Sequence, residues 1–225
     1  MIELVCLLYV ITVDLAVTLT CFSTLFDGYI TLNFVRDMFL RLINILCVLV
    51  FIRLVKDSMT HPTRLPEDAM VFVQGRDRPQ KTGDVFNKKK LAVIFGTPGA
   101  FTPTCTQKHL PSYIHKAKDM TSMGVDMIAC VCPNDKYVME AWSEELNVDP
   151  SIITMVSDGN LELATALGIK TDYTCNVMGY RFQRFALVAS EGAILYLATE
   201  KIPSDFSATS PEKVMDFLKT RQRGG

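Results

Sequence analysis

From residue 67 onward, short apolar runs alternate with stretches in which apolar side chains recur every three or four positions. Ala69–Val73, Leu91–Phe95, Met127–Cys132 and Ile152–Val156 are the runs, and they predict strands. The middle two are apolar on both faces, as strands buried inside a parallel sheet are. Helical spacing falls between them at Thr106–Thr121, Lys136–Leu146 and Asn160–Leu167, the last closed by Gly168 as a C-terminal cap. Phe182–Ala189 and Ala193–Thr199, joined by Ser190-Glu191-Gly192, predict a β-hairpin. Ser210 and Pro211 then open a final helix, with Ser as N-cap and Pro at the first helical position.

This order, a βαβ unit followed by a hairpin and a closing helix, predicts an α/β, thioredoxin-like fold with extra elements, a central mixed sheet flanked by helices. The first 57 residues follow a different pattern. Leu4 to Phe26 and Met38 to Val55 are apolar stretches broken by Asp14, Arg41 and Arg53. The longest uncharged run, Leu15–Phe26, has 12 residues, short of the ~18–20 of a spanning helix, although an apolar segment can offset one central Asp. A secretory signal would start basic, yet the first charge is Glu3. A transit peptide would be poor in acid, yet five acidic residues stand against four basic ones. Four readings stay open: a membrane-associated anchor, a processed targeting segment, a buried hairpin, or an incorrect start codon.

Composition sharpens that division. All ten prolines and eleven of the twelve glycines follow Asp57, so the turn formers of a globular domain belong to the second part. We place a hydrophobic leader at 1–57, a linker at 58–66 and one domain at 67–225. Across 58–225 the charges balance, 19 basic against 19 acidic (23 − 4 and 24 − 5). Such a domain offers no electrostatic footprint for a nucleic acid.

Cys105 is the candidate reactive group. It ends the segment Gly96-Thr97-Pro98-Gly99-Ala100-Phe101-Thr102-Pro103-Thr104-Cys105, between a buried strand and a helix, where α/β proteins keep their chemistry. A helix start offers free N–H groups and a partial positive charge, both of which favour a thiolate.

Pro98-Gly99-Ala100-Phe101-Thr102-Pro103-Thr104-Cys105 resembles the Pro-x-x-x-Thr-x-x-Cys signature of the peroxiredoxins, in the form of the type II, or atypical two-cysteine, subfamily. The likeness runs on through His109-Leu110-Pro111, Asn134-Asp135, Asp158-Gly159 and Arg184-Phe185-Ala186-Leu187-Val188, and covers about residues 65–222. It implies a thioredoxin-like fold with peroxiredoxin insertions and a thiol peroxidase that reduces hydrogen peroxide and alkyl hydroperoxides without a bound cofactor. Cys105 would be the peroxidatic residue, Thr102 and Arg184 its pocket partners and Pro98 its shield from water. Glutathione with glutaredoxin, or thioredoxin, would supply the electrons, and a homodimer is common in the family. The competing reading is a peroxide sensor or membrane-tethered thiol relay that passes oxidation to a client.

Elementary chemistry says where such a catalyst must act. A thiol of reference pKa is ~3% ionised at pH 7, so shifting its pKa can gain at most ~30-fold. The rest must come from aligning the O–O bond with sulfur and from donors aimed at the departing oxygen. The Thr102 hydroxyl, the Arg184 guanidinium and the backbone N–H groups of Thr104 and Cys105 have that character. Arg181, three residues from Arg184, would face the other side of a continuous strand and only shape the pocket rim.

The oxidised sulfur must be reduced by another thiol. By resemblance to plant-type members, Cys130, 25 positions on, is the resolving cysteine. The alternative is a core pair with Cys132, one strand face holding both. Animal-type members carry theirs just before the last helix, where this chain reads Asp205-Phe206-Ser207-Ala208-Thr209-Ser210. His109 lies one helical turn after Cys105 and is expected to fix the loop by a hydrogen bond. No Cys-x-x-Cys or His-x-x-x-His spacing suggests a metal site. Location, whether cytoplasm, mitochondrion, plastid or membrane surface, stays open.

Overall fold

In a computed structural model the chain divides into two compact units, residues 1–59 and 60–225. The structure describes residues 40–41, 43–45, 47–50 and 62–223. In the first unit the described residues are helical, and the expectations placed on the rest of the leader lie outside them. Among the described residues no helix is long and apolar enough to cross a membrane.

The second unit is built on seven strands in the order β2-β1-β5-β4-β3-β8-β9. These are β1 Met70–Val73, β2 Gln80–Lys81, β3 Ala92–Gly96, β4 Met127–Cys132, β5 Ile153–Ser157, β8 Phe185–Ser190 and β9 Ala193–Thr199. A separate two-stranded ribbon pairs β6, Lys170–Asp172, with β7, Tyr180–Phe182. Strands β3, β4 and β5 run parallel, and β1, β8 and β9 join antiparallel, so the sheet is mixed as expected. Helices α1 Thr82–Phe86, α2 Leu110–Ser122, α3 Lys136–Glu145, α4 Glu162–Ala166 and α5 Pro211–Arg223 complete the unit.

Period-2 alternation sorts the strand side chains into two cores. Val93, Phe95, Ile128, Cys130, Cys132 and Met155 face α2, α3 and α5, whereas Ala92, Ile94, Ala129, Val131, Phe185 and Leu187 face α1 and α4. The central strands are inaccessible on both faces, which is why their sequence is uninterruptedly apolar.

Two local features position the site. Strand β3 ends on Gly96 because the Phe185 ring lies against it: a methyl there would stand 1.8 Å from Phe185 Cε1. The helix that follows is entered at Pro103 and Thr104, widens into a π-helical turn over Cys105–His109 and continues as α2, with the Leu110 N–H donating to the Cys105 carbonyl five residues back. Such wide turns are rare and cluster at functional sites.

Candidate active site

Cys105 sits at the C-terminal end of the parallel strands, where the chain leaves β3, crosses the loop 97–104 and turns into the π-helix. Its side chain is 1% exposed. The Sγ accepts from Arg184 Nη1 at 3.4 Å. Arg184 is itself buried, 1% exposed, and lies between β7 and β8, where the chain crosses from the ribbon to the main sheet. Its Nε donates to the Asp205 carbonyl at 3.0 Å and its Nη2 to the Pro203 carbonyl at 2.8 Å. Nη1 also meets His109 Nδ1 at 3.0 Å.

An arginine has no acceptor, so Nδ1 accepts and the imidazole proton resides on Nε2. The ring is enclosed by Phe95, Tyr113 and Phe206, with centroids 5.2, 5.4 and 5.2 Å away. Burial and the Arg184 charge hold His109 well below the usual imidazole range, with the Thr209 carbonyl acting weakly the other way. A neutral acceptor facing Arg184 orients the guanidinium. The hydrogen bond expected of His109 is therefore made to Arg184, not to the loop.

The loop has its own ties. Thr102 Oγ1 donates to the Gly99 carbonyl at 2.8 Å, which spends its proton and leaves its lone pairs to accept. Pro98 is buried at the loop's start, and Thr104 is partly buried ahead of Cys105. Asn134 Oδ1 accepts from the Ala100 N–H at 2.9 Å, and the neighbouring Asp135 caps α3 by accepting from Tyr137 and Val138. The Asn-Asp pair thus ties the loop to the helix beside it. Phe101 holds φ of 60° and is 51% exposed at the loop tip.

Arg181 corrects the strand-parity expectation. Arg181 lies on β7 and Arg184 beyond its end, so the two are not on one continuous strand. Arg181 Nη1 reaches the active-site loop, 3.3 Å from where a Cβ on Gly99 would be, and its Nε donates to the Met178 carbonyl at 2.8 Å. Both arginines therefore border the loop.

Cys130 stands apart from this group. It is fully buried in the middle of β4, paired with Phe95 on one side and Met155 on the other. Burial pushes its thiol well above the usual range. Cys132 is equally buried and lies under the loop: Thr97 Oγ1 donates to its sulfur at 3.3 Å and the thiol donates to Asn134 Oδ1 at 3.1 Å. Burial pushes Cys132 up to about 12, against the opposing Thr97 hydrogen bond. Cys105, Cys130, Cys132 and Cys175 are all free thiols, with Cys175 exposed.

A family profile described as Redoxin matches residues 63–214. The chain is similar to "Peroxiredoxin-2E-2, chloroplastic" of Oryza sativa, 41% identical over 159 residues, which are 69% of this chain and 70% of the relative. It is also similar to "Peroxiredoxin-2B" of Arabidopsis thaliana, 33% identical over 68% of this chain and 94% of the relative. Among solved structures, reduced Prx3 from Vibrio vulnificus in complex with H2O2 superimposes with a TM-score of 0.66. That protein is 34% identical, and the match covers 73% of this chain and 98% of its own.

Proposed function

The chain belongs to the peroxiredoxins of the redoxin family and is a thiol-dependent peroxidase, and we propose that Cys105 is its peroxidatic residue. The observation that carries this reading is the buried Arg184 Nη1 at 3.4 Å from Cys105 Sγ, its guanidinium fixed by three further partners.

In the proposed reaction the Cys105 thiolate attacks the outer oxygen of R–O–O–H, forming an S–O bond as the O–O bond breaks. Sulfur gives up two electrons, the departing alkoxide takes from solvent the proton that the Cys105 thiol released on ionising and leaves as R–OH, and Cys105 becomes a sulfenic acid. Arg184 and the N–H groups of Thr104 and Cys105 offset the charge that grows along the O–O axis. The Thr102 hydroxyl, its proton already given to Gly99, accepts from the peroxide O–H and lines it up with sulfur. Pro98 keeps water off the sulfur from the loop side.

A thiol then attacks the sulfenic acid, releasing water and leaving a mixed disulfide, and a second thiol restores Cys105. We propose that an external thiol, glutathione with glutaredoxin or thioredoxin, does this. Cys130 is held by ladder pairing on both sides of its strand, whereas Cys105 lies in a helical turn next to the partly exposed Thr102 and Thr104. Steady-state peroxide consumption by native and Cys130→Ser chains, with each reductant in turn, tests the point. Equal turnover is expected, and loss in Cys130→Ser would make Cys130 the resolving thiol. Oxidation that stops at one equivalent with every reductant would favour the sensor reading.

We further propose that residues 1–57 are a leader ahead of the linker 58–66, and that the protein works in an organelle. This rests on the position of the leader outside the matched region and on relatives whose names place them in chloroplast or mitochondrion. Expression of the full chain fused to a fluorescent protein, with and without 1–57, tests it. The location should change when the segment is removed.

A further inference from the structure

Beyond the groups that meet sulfur or peroxide lies a buried carboxylate the mechanism does not use. Glu200 follows β9 directly and is 5% exposed. Among the described residues no cation pairs with it. Its Oε1 instead accepts from the Ser207 N–H at 2.7 Å, the Thr209 N–H at 2.9 Å and the Thr209 hydroxyl at 3.0 Å, while Oε2 faces Ser207 Oγ at 3.5 Å. Burial alone would raise its pKa, but these donors outweigh burial and leave it below the usual carboxylate range, so it stays ionised.

What these bonds close is the segment between β9 and α5. Glu200 gathers residues 207 and 209 back onto itself, so the chain from 201 to 206 bows out as a loop. The two carbonyls that hold Arg184, Pro203 and Asp205, are on that bow. Glu200 is also tied to Arg184 directly, its N–H donating to the Arg184 carbonyl at 2.9 Å. The far end of the loop bears on the other partner of Arg184: Phe206 packs on the His109 ring, and the Thr209 carbonyl accepts from Tyr113, which also contacts that ring. Three of the four contacts of the guanidinium thus depend on a loop that Glu200 ties at residues 207 and 209, with the Tyr196 and Tyr113 hydroxyls holding the Ala208 and Thr209 carbonyls beside it.

Resting on the assignment of Cys105 and Arg184 above, we propose that Glu200 is the positioning residue for Arg184, closing the 201–209 loop so that its carbonyls aim Nη1 at the Cys105 sulfur. A neutral amide in its place would make weaker versions of the same bonds, because hydrogen bonds to an ionised acceptor are about twice as strong. The loop would loosen and the guanidinium would lose its aim before the fold was lost.

The test follows single-turnover oxidation of Cys105 by H2O2 in the full chain, alongside its alkylation by iodoacetamide, which needs the thiolate but no donor on a departing oxygen. Glu200→Gln should slow the peroxide reaction about tenfold, the scale of one weakened charge-assisted bond. Alkylation should fall less than the peroxide reaction, since the Nη1–Sγ contact serves the thiolate in both reactions whereas a donor on the departing oxygen serves the peroxide reaction alone. Thr209→Val, which deletes one donor to Oε1, should act in the same direction more weakly and serves if Glu200→Gln fails to fold.

Coupling decides the mechanism. In an Arg184→Ala background, Glu200→Gln should cost nothing further in the peroxide reaction. An undiminished loss in that background, or equal losses in alkylation and peroxide oxidation, would overturn the positioning role and leave the Arg184 assignment standing. An Arg184→Ala chain that meets peroxide at the native rate would overturn that assignment, and the proposal with it.

Discussion

At the scale of single residues, the site is a problem in spending donors. Arg184 has five N–H groups, and four contacts on this structure use them: Asp205 and Pro203 carbonyls, His109 Nδ1 and Cys105 Sγ. One N–H on Nη2 has no partner among the described residues, and in the proposed reaction it is the donor free to meet the peroxide. A lysine has neither the planar fork nor enough donors to keep those directions, so Arg184→Lys should lose about a hundredfold in peroxide reactivity, as removal of a preorganised donor does. Retention of the native rate with lysine would mean that charge alone suffices. Thr102 makes a second prediction. Its hydroxyl proton goes to Gly99, and valine keeps the shape but removes the oxygen. Thr102→Val should therefore slow peroxide reduction by more than the ~30-fold that any change in thiolate population could explain. A near-normal single-turnover rate would remove Thr102 from the reaction.

At the scale of elements, what the sequence made legible were the pieces whose environment is uniform. Met127–Cys132 is a strand from first residue to last because both faces are buried, so every position demands an apolar side chain. The hairpin turn was readable from Gly192, which takes φ of 80°, while the φ of 48° at Glu191 is one that its side chain does not announce. The ribbon β6–β7 was missed, since three-residue strands with exposed polar positions carry no period. That omission also misled the reading of Arg181 and Arg184 as neighbours on one strand. The π-helical turn was not read although Pro111, which has no N–H for the Gln107 carbonyl four residues back, stands just after it. Glu200 was missed because its donors, seven and nine residues on, are led by the backbone N–H groups of Ser207 and Thr209, which carry no sequence motif. The ribbon's connecting turn carries a prediction of its own. Val177 is β-branched, 95% exposed and held at φ of 57°, which costs roughly 1–2 kcal/mol for such a side chain. Val177→Asn should raise the unfolding free energy by about 1 kcal/mol, because Asn tolerates the left-handed region. An unchanged or lowered midpoint in urea would show that the turn carries no strain.

At the scale of the whole molecule, two buried groups set opposing demands on acid stability. His109 is held neutral, well below its usual range by burial and then by Arg184, so the unfolded chain takes up a proton below about pH 6.5 before the native one does. Its contribution is full above that pH and is lost as pH falls. Asp158 behaves in the opposite way. Burial raises it to about 6, from an ordinary 3.8, even though the N–H groups of Glu162 and Ala164 at the start of α4 donate to its carboxylate. Between those two values the native chain holds a proton that the unfolded chain has released, so this contribution is full below the unfolded pKa and is lost as pH rises through about 6. Each group has a limiting slope of about 1.4 kcal/mol per pH unit, and across the span from 6 towards 4 the slopes cancel. Between pH 6.5 and 6 only His109 acts fully, so acid weakening should begin there and then flatten. Asp158→Asn removes one side of the balance. Relative to the native chain, its unfolding free energy in urea should fall by about a further 1 kcal/mol between pH 6 and pH 5. His109→Gln should shift the same difference with the opposite sign. Taking each variant against the native chain at the same pH cancels the titration of every exposed carboxylate. Parallel pH profiles for native and Asp158→Asn chains would mean that Asp158 ionises in the folded protein as it does in the unfolded one.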